Sequence, residues 1–100
     1  MLASVTAPTE HDRLQPSPAV KASISADGLV ILDVSGGLVL SSNVVGARIW
    51  ELLEQRHAGG EIARRLADEY AIPLDRAQRD VAAFVAALIA RGLVTREARP

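Results

Sequence analysis

Hydrophobic positions change their period twice along the chain. From Val20, the residues Val20, Ala22 and Ile24 alternate with Lys21, Ser23 and Ser25, the period-two pattern of a half-buried strand. Asp27-Gly28 supplies the positive backbone angle of a tight hairpin. Residues 29–34 form a nearly unbroken, β-branched apolar stretch, and Gly36-Gly37 marks a second hairpin into Leu38-Val39-Leu40. Three short antiparallel strands are predicted.

After Ser41 the period becomes helical. Ser42 or Asn43 can cap a first helix, which places Val45, Ile49, Leu52 and Leu53 on one face and runs to about Gln55. Gly59-Gly60 breaks the chain. Ile62, Ala63, Leu66, Ala67 and Tyr70 make the buried stripe of a second helix ending before Pro73. Asp75 and Gln78 have the spacing of a capping box opening a third helix, which Gly92 closes. On that helix Val81, Phe84, Val85, Leu88 and Ile89 cluster in one arc facing the core. Leu93-Val94-Thr95 forms a short extended coda. The predicted fold class is α+β, a three-stranded antiparallel sheet followed by three helices.

Residues 1–18 carry Pro8, Pro16 and Pro18 and no periodicity that buries a face, so they are read as a flexible N-terminal tail. They lack the basic start and apolar stretch of a secretory signal. The longest apolar run, residues 81–90, is about half of the ~20 residues that span a bilayer, which predicts a cytoplasmic protein with no membrane partner.

Composition narrows the chemistry. The chain has 100 residues, 49% hydrophobic and 3% aromatic, enough for one small aliphatic core. Eleven Lys and Arg against twelve Asp and Glu leave a net charge of -1, poor footing for a phosphate-backbone binder, and no nucleic-acid partner is expected. There is no cysteine, which removes disulfides, thiolate metal sites and a Cys nucleophile. His11 and His57 are the only histidines and are not at metal-ligand spacing. The serines form no nucleophile elbow. Glu51 and Glu54 sit on the solvent side of an amphipathic helix, and the paired glycines lack the phosphate-loop spacings. No catalytic residue, metal ligand or cofactor is assigned, and binding is the class the chain fits.

Two features could bind. Leu38, Val39, Leu40 and Ser41 form a candidate sheet edge without the proline or charge that guards exposed strands, open to strand addition by a peptide. Beside it, the third helix carries Arg76, Arg79, Ala83, Ala86, Ala87 and Ala90 away from its core arc, a wall of methyl groups edged by arginine. Alanine also fills exposed helix positions through propensity alone. The edge itself has two competing uses, pairing with Leu93-Val94-Thr95 or joining a second copy in a homodimer.

Asn43, Gly46, Ala47, Ile49, Trp50, Leu52 and Leu53, then Ile62, Leu66 and Tyr70, then Asp80, Val81, Phe84 and Leu88 with the closing Arg91-Gly92-Leu93, resemble in order and spacing the PqqD-like family of peptide-recognition proteins. The resemblance covers residues 20–94. It implies a winged-helix-like fold in which residues 19–96 form the peptide-binding domain, and a non-catalytic function: binding the leader of a ribosomally synthesised precursor peptide as an added strand. The implied site is Leu38, Val39, Leu40 and Ser41 for strand pairing, with Arg76, Arg79, Asp80, Ala83 and Ala87 contacting leader side chains. Within the family the short form and the Ile49-Trp50-Glu51-Leu52-Leu53 helix are most similar to the leader-binding B1 proteins of lasso peptide clusters, which implies a leader protease and a cyclase as partners. The quinone-cofactor branch usually has a tryptophan after the closing glycine, where this chain has Leu93. The alternatives are a PqqD-like chaperone for a radical SAM peptide-modifying enzyme, and a winged-helix DNA-binding protein reading the major groove with its third helix.

Overall fold

A computed structural model describes residues 14–34 and 37–96. The chain runs through β1 (Leu14–Pro16), β2 (Val20–Ser25), β3 (Gly28–Asp33), β4 (Gly37–Ser42), α1 (Val44–Glu54), α2 (Gly59–Tyr70), α3 (Leu74–Ala90) and β5 (Val94–Arg96). β2, β3 and β4 form an antiparallel sheet in that order, and β1 pairs antiparallel with β5 in a separate ribbon. The fold is α+β, with the three-stranded sheet followed by three helices.

The core lies where the inner face of the sheet meets the helices. β3 contributes Leu29 and Ile31, and α1 contributes Ile49, Trp50, Leu52 and Leu53. Ile62 and Leu66 of α2, Val81, Val85 and Leu88 of α3, and Leu14, Leu93 and Val94 of the ribbon complete it. Each large aliphatic side chain buried this way contributes about 1.5 to 3 kcal/mol. Trp50 is fully enclosed, and its indole N–H has no acceptor among the described residues, so shape and apolar area decide its placement.

Local chemistry sets the helix ends. The Asn43 side chain caps α1, its Oδ1 accepting from the Gly46 N–H at 3.0 Å. α3 ends in a paired cap: the Gly92 N–H donates to Ile89 O and the Leu93 N–H to Leu88 O, with Gly92 at φ 71°. That cap turns the chain so that Leu93 and Val94 drop into the core. α1 and α2 are joined at the surface by Arg48, whose Nε and Nη2 reach both carboxylate oxygens of Glu69 at 2.9 and 2.8 Å, while Nη1 reaches Glu51 at 3.3 Å.

Several expectations are corrected. The flexible tail does not extend to Pro18: Leu14 is only 3% exposed, and β1 holds β5 in the register Leu14 with Arg96 and Pro16 with Val94. Residues 1–13 of the expected tail, including His11, lie outside the described residues, as does Gly36. The second helix starts at Gly59 instead of after the glycine pair. Asp75 does not cap α3, because the helix begins two residues earlier than such a cap implies, at Leu74 behind Pro73 at φ -59°. Asp75 instead accepts from Arg79 within the first turn. Tyr70 and Ile89, each near a helix end, stay about two-fifths exposed instead of joining the core.

Replacing Leu14 by Ala should lower stability by about 2 to 5 kcal/mol, read as a shift in the urea midpoint of Trp50 fluorescence; a tail residue would cost nothing. Acid should also act through the surface clamp. The hydrogen bonds from Arg48 hold the Glu69 carboxyl below its ordinary value of 4.5, and those from His57 and Arg65 do the same for Glu61. A carboxylate with a depressed folded-state pKa contributes stability above the ordinary value and loses it as pH falls through the folded one. Urea titrations at successive pH values should therefore show stability falling below about pH 4.5, with a shallower fall in Glu69→Gln.

Candidate functional site

The site is built on the backbone of β4. β2 and β3 are joined by the two-residue turn Ala26-Asp27, with Ser25 opposite Gly28. The Val34 N–H donates to Ala19 O at 2.9 Å, in the same register. Residues of an antiparallel strand alternate in the side to which they direct their backbone groups. Gly28, Val30 and Leu32 therefore bond to β2, and Leu29 and Ile31 bond to β4. Leu29 faces Ser42 and Ile31 faces Leu40, so Leu40 and Ser42 direct their backbone inward, and Ser41 directs its N–H and C=O away from the sheet. The register slips between Ile31 and Leu32, where Leu32 faces Leu38. Val39 is the extra residue of a bulge, which bends an edge strand and raises its twist.

Nothing among the described residues covers this edge. The C-terminal strand, the internal competitor for it, pairs instead with β1 in a separate sheet. The four strand residues differ in their side chains: Val39 and Leu40 pack against the core, whereas Leu38 is 66% exposed on the outer face.

α3 forms the neighbouring wall through one close approach. Gly46, at the start of α1, sits between the Ser42 side chain and the Phe84 ring, and a Cβ there would lie 3.1 Å from Phe84 Cε1 and closer still to Ser42. Phe84 thus marks the side of α3 that reaches the start of α1, where β4 ends. At about 100° per residue, Asp80, Ala87, Arg76 and Ala83 follow Phe84 in turn around that flank, away from the buried Ala77, Val81 and Leu88. By this spacing Arg76, Asp80, Ala83 and Ala87 share the exposed flank of α3 that begins at Phe84. Arg79 stands further round, exposed and paired with Asp75 at 3.3 Å, and is not part of this flank. Ser42 and Phe84, which meet at Gly46, were not singled out by sequence reasoning. Helical periodicity showed which arc of α3 was buried, but the flank that meets the sheet follows only from the glycine contact.

The wall is electrically balanced. Arg76 Nε lies 3.9 Å from Asp80 Oδ2, and Arg79 answers Asp75, so the exposed start of α3 offers no basic face of the kind duplex DNA attracts. Among the described residues no group of three or more His, Asp or Glu side chains is placed to hold a metal ion, and no helix is long and apolar enough to cross a membrane. His57 is bound to Glu61 at 2.9 Å, far along the chain from this site.

The model of the family described as coenzyme PQQ synthesis protein D (PqqD) matches residues 28–94, more than half of the chain. The chain belongs to the PqqD family. The PqqD match takes in β4 and all three helices and leaves β1 and β2 outside. Two solved structures are similar. One, described as TbiB1 in complex with the TbiA(beta) leader peptide, has a TM-score of 0.74 and 30% identity over 85% of this chain and 99% of that one. The other, lasso peptide synthetase B1 complexed with the leader peptide, has a TM-score of 0.73 and 28% identity over 83% of this chain and 98% of that one. No curated protein sequence matches the chain.

Gly46→Ala should force Ser42 and Phe84 apart and cost about 1 to 3 kcal/mol, the usual range for overpacking. Urea denaturation followed by Trp50 fluorescence measures it; a neutral result would mean that β4 and α3 do not meet as closely as described.

Proposed function

We propose that this protein is a non-catalytic recognition element that binds the leader of a ribosomally synthesised precursor peptide as a fourth strand on β4, against the Phe84 flank of α3. It then hands the precursor to the leader protease and cyclase of a lasso peptide pathway. The observation that carries this reading is the uncovered edge of β4, with the Ser41 backbone groups directed outward. Both similar solved structures hold a leader peptide and are B1 proteins by description, which supports the lasso branch over a partner radical SAM enzyme.

Energetics explain why edge and wall are both needed. Ordering each leader residue costs roughly 1 to 2 kcal/mol, and each backbone hydrogen bond returns only about 0.5 to 1.5. Strand pairing alone about breaks even. Two or three apolar leader side chains, each contributing about 1.5 to 3 kcal/mol when buried, supply the affinity. The small Ala83 and Ala87 leave room for them beside Phe84. Arg76 and Asp80, only loosely paired, offer one charge of each sign to the leader.

Ser41→Pro removes the outward N–H and fixes the backbone angle without touching a bond to β3. It should weaken binding of a labelled leader peptide that the parent protein binds by about tenfold, the scale of one lost hydrogen bond, with unfolding unchanged. Anisotropy titration reads the affinity, and equal affinity for both proteins would remove β4 as the site. The proline belongs at Ser41 and not at Val39, because Val39 packs against the core.

A further inference from the structure

The outer face of the sheet, turned away from the helices, is polar on one side and apolar on the other. By the registers of β2, β3 and β4, two rows of side chains cross it: Ser23, Val30 and Ser41 form one, and Lys21, Leu32 and Leu38 form the other. Val30 and Leu32 are about two-fifths exposed, and Leu38, at the β4 margin, is about two-thirds exposed. A lone exposed leucine is ordinary on a protein surface. Here the charge of the second row stands at its β2 end, and the apolar side chains gather toward the edge proposed to take the leader.

The backbone of β4 gives that gathering an occupant. Leu32 bonds to β2, so Leu38 opposite it directs its N–H and C=O away from the sheet, as Ser41 does. The bulge at Val39 separates these two outward residues by three positions, and it lets both Val39 and Leu40 pack against the core. Directly opposed residues of neighbouring strands point to the same face of a sheet. A strand that pairs with both Leu38 and Ser41 therefore sets one of its own side chains beside each of them on the outer face.

We infer that the leader strand carries a large apolar side chain beside Leu38, which extends the row of Lys21, Leu32 and Leu38 by one, and that its position beside Ser41 is free of that demand. The inference rests on β4 being the leader edge, and it adds which leaders fit: those with an apolar anchor on the outer face as well as toward α3. Leu38 is then a specificity residue, covered only in the complex. A segment with charged or small residues at its outer positions pairs its backbone with β4 but leaves Leu38 bare.

Random dodecapeptides displayed on phage and selected against the full chain supply the probe. The tightest binder is synthesised with a fluorescent label, and serine is placed at each of its positions in turn. Anisotropy titrations then compare the parent protein, Leu38→Ser and Ser41→Pro. Leu38→Ser should weaken the binder about fivefold, the scale of one apolar cross-strand pair, with unchanged far-UV circular dichroism. One serine-substituted peptide should lose as much against the parent and nothing further against Leu38→Ser. Equal affinity for the parent and Leu38→Ser, or peptide and protein losses that add at every position, while Ser41→Pro still weakens the binder, overturns the inference alone. A selection that yields no binder, or a binder indifferent to Ser41→Pro, overturns the β4 reading and this inference with it.

Discussion

Every strand must pair its backbone groups or leave them to water, and the pairing of β1 with β5 decides which ones this molecule leaves open. β5 follows the cap of α3, and β1 is the strand it pairs with. Because Leu14–Pro16 takes β5 first, and the buried Leu14, Leu93 and Val94 hold that ribbon to the helices, β4 keeps a free side. The three residues of β1 therefore act on the candidate site from a distance, by occupying its internal competitor.

A second constraint shapes the wall. β4 runs into α1 with only Asn43 between them, so the end of the strand, the start of the helix and Phe84 of α3 converge at Gly46. A side chain at this point would push the helix off the strand. The Asn43 cap fixes the angle of the turn, and the Gly92 cap at the other end of α3 sends the chain back beneath it. The result is that the end of the edge strand and one side chain of α3 meet across a single glycine.

Much of this was legible in the sequence because it is local. Alternation from Val20 to Ser25, the switch of period after Ser41 and Gly92 at the end of α3 all depend on neighbours within one turn or hairpin. The β1–β5 ribbon was not legible, since it joins residues some eighty positions apart, and a three-residue strand has no periodicity of its own. Asp75 misled for a related reason: its spacing to Gln78 suits a cap, but Pro73 caps the helix two residues earlier. At the site, the edge residues were readable, whereas the share of α3 was not. Arg76 and Arg79 look equivalent on a helix, and only the Gly46 contact separates the one on the β4 flank from the one facing solvent.

The account rests on the outward amide of Ser41 becoming the donor to a bound strand. Hydrogen exchange at that single amide, followed by NMR with and without saturating leader, tests this most directly. Fast exchange in the free protein and strong protection in the complex are predicted. Saturated binding with Ser41 exchanging at its free rate would contradict it.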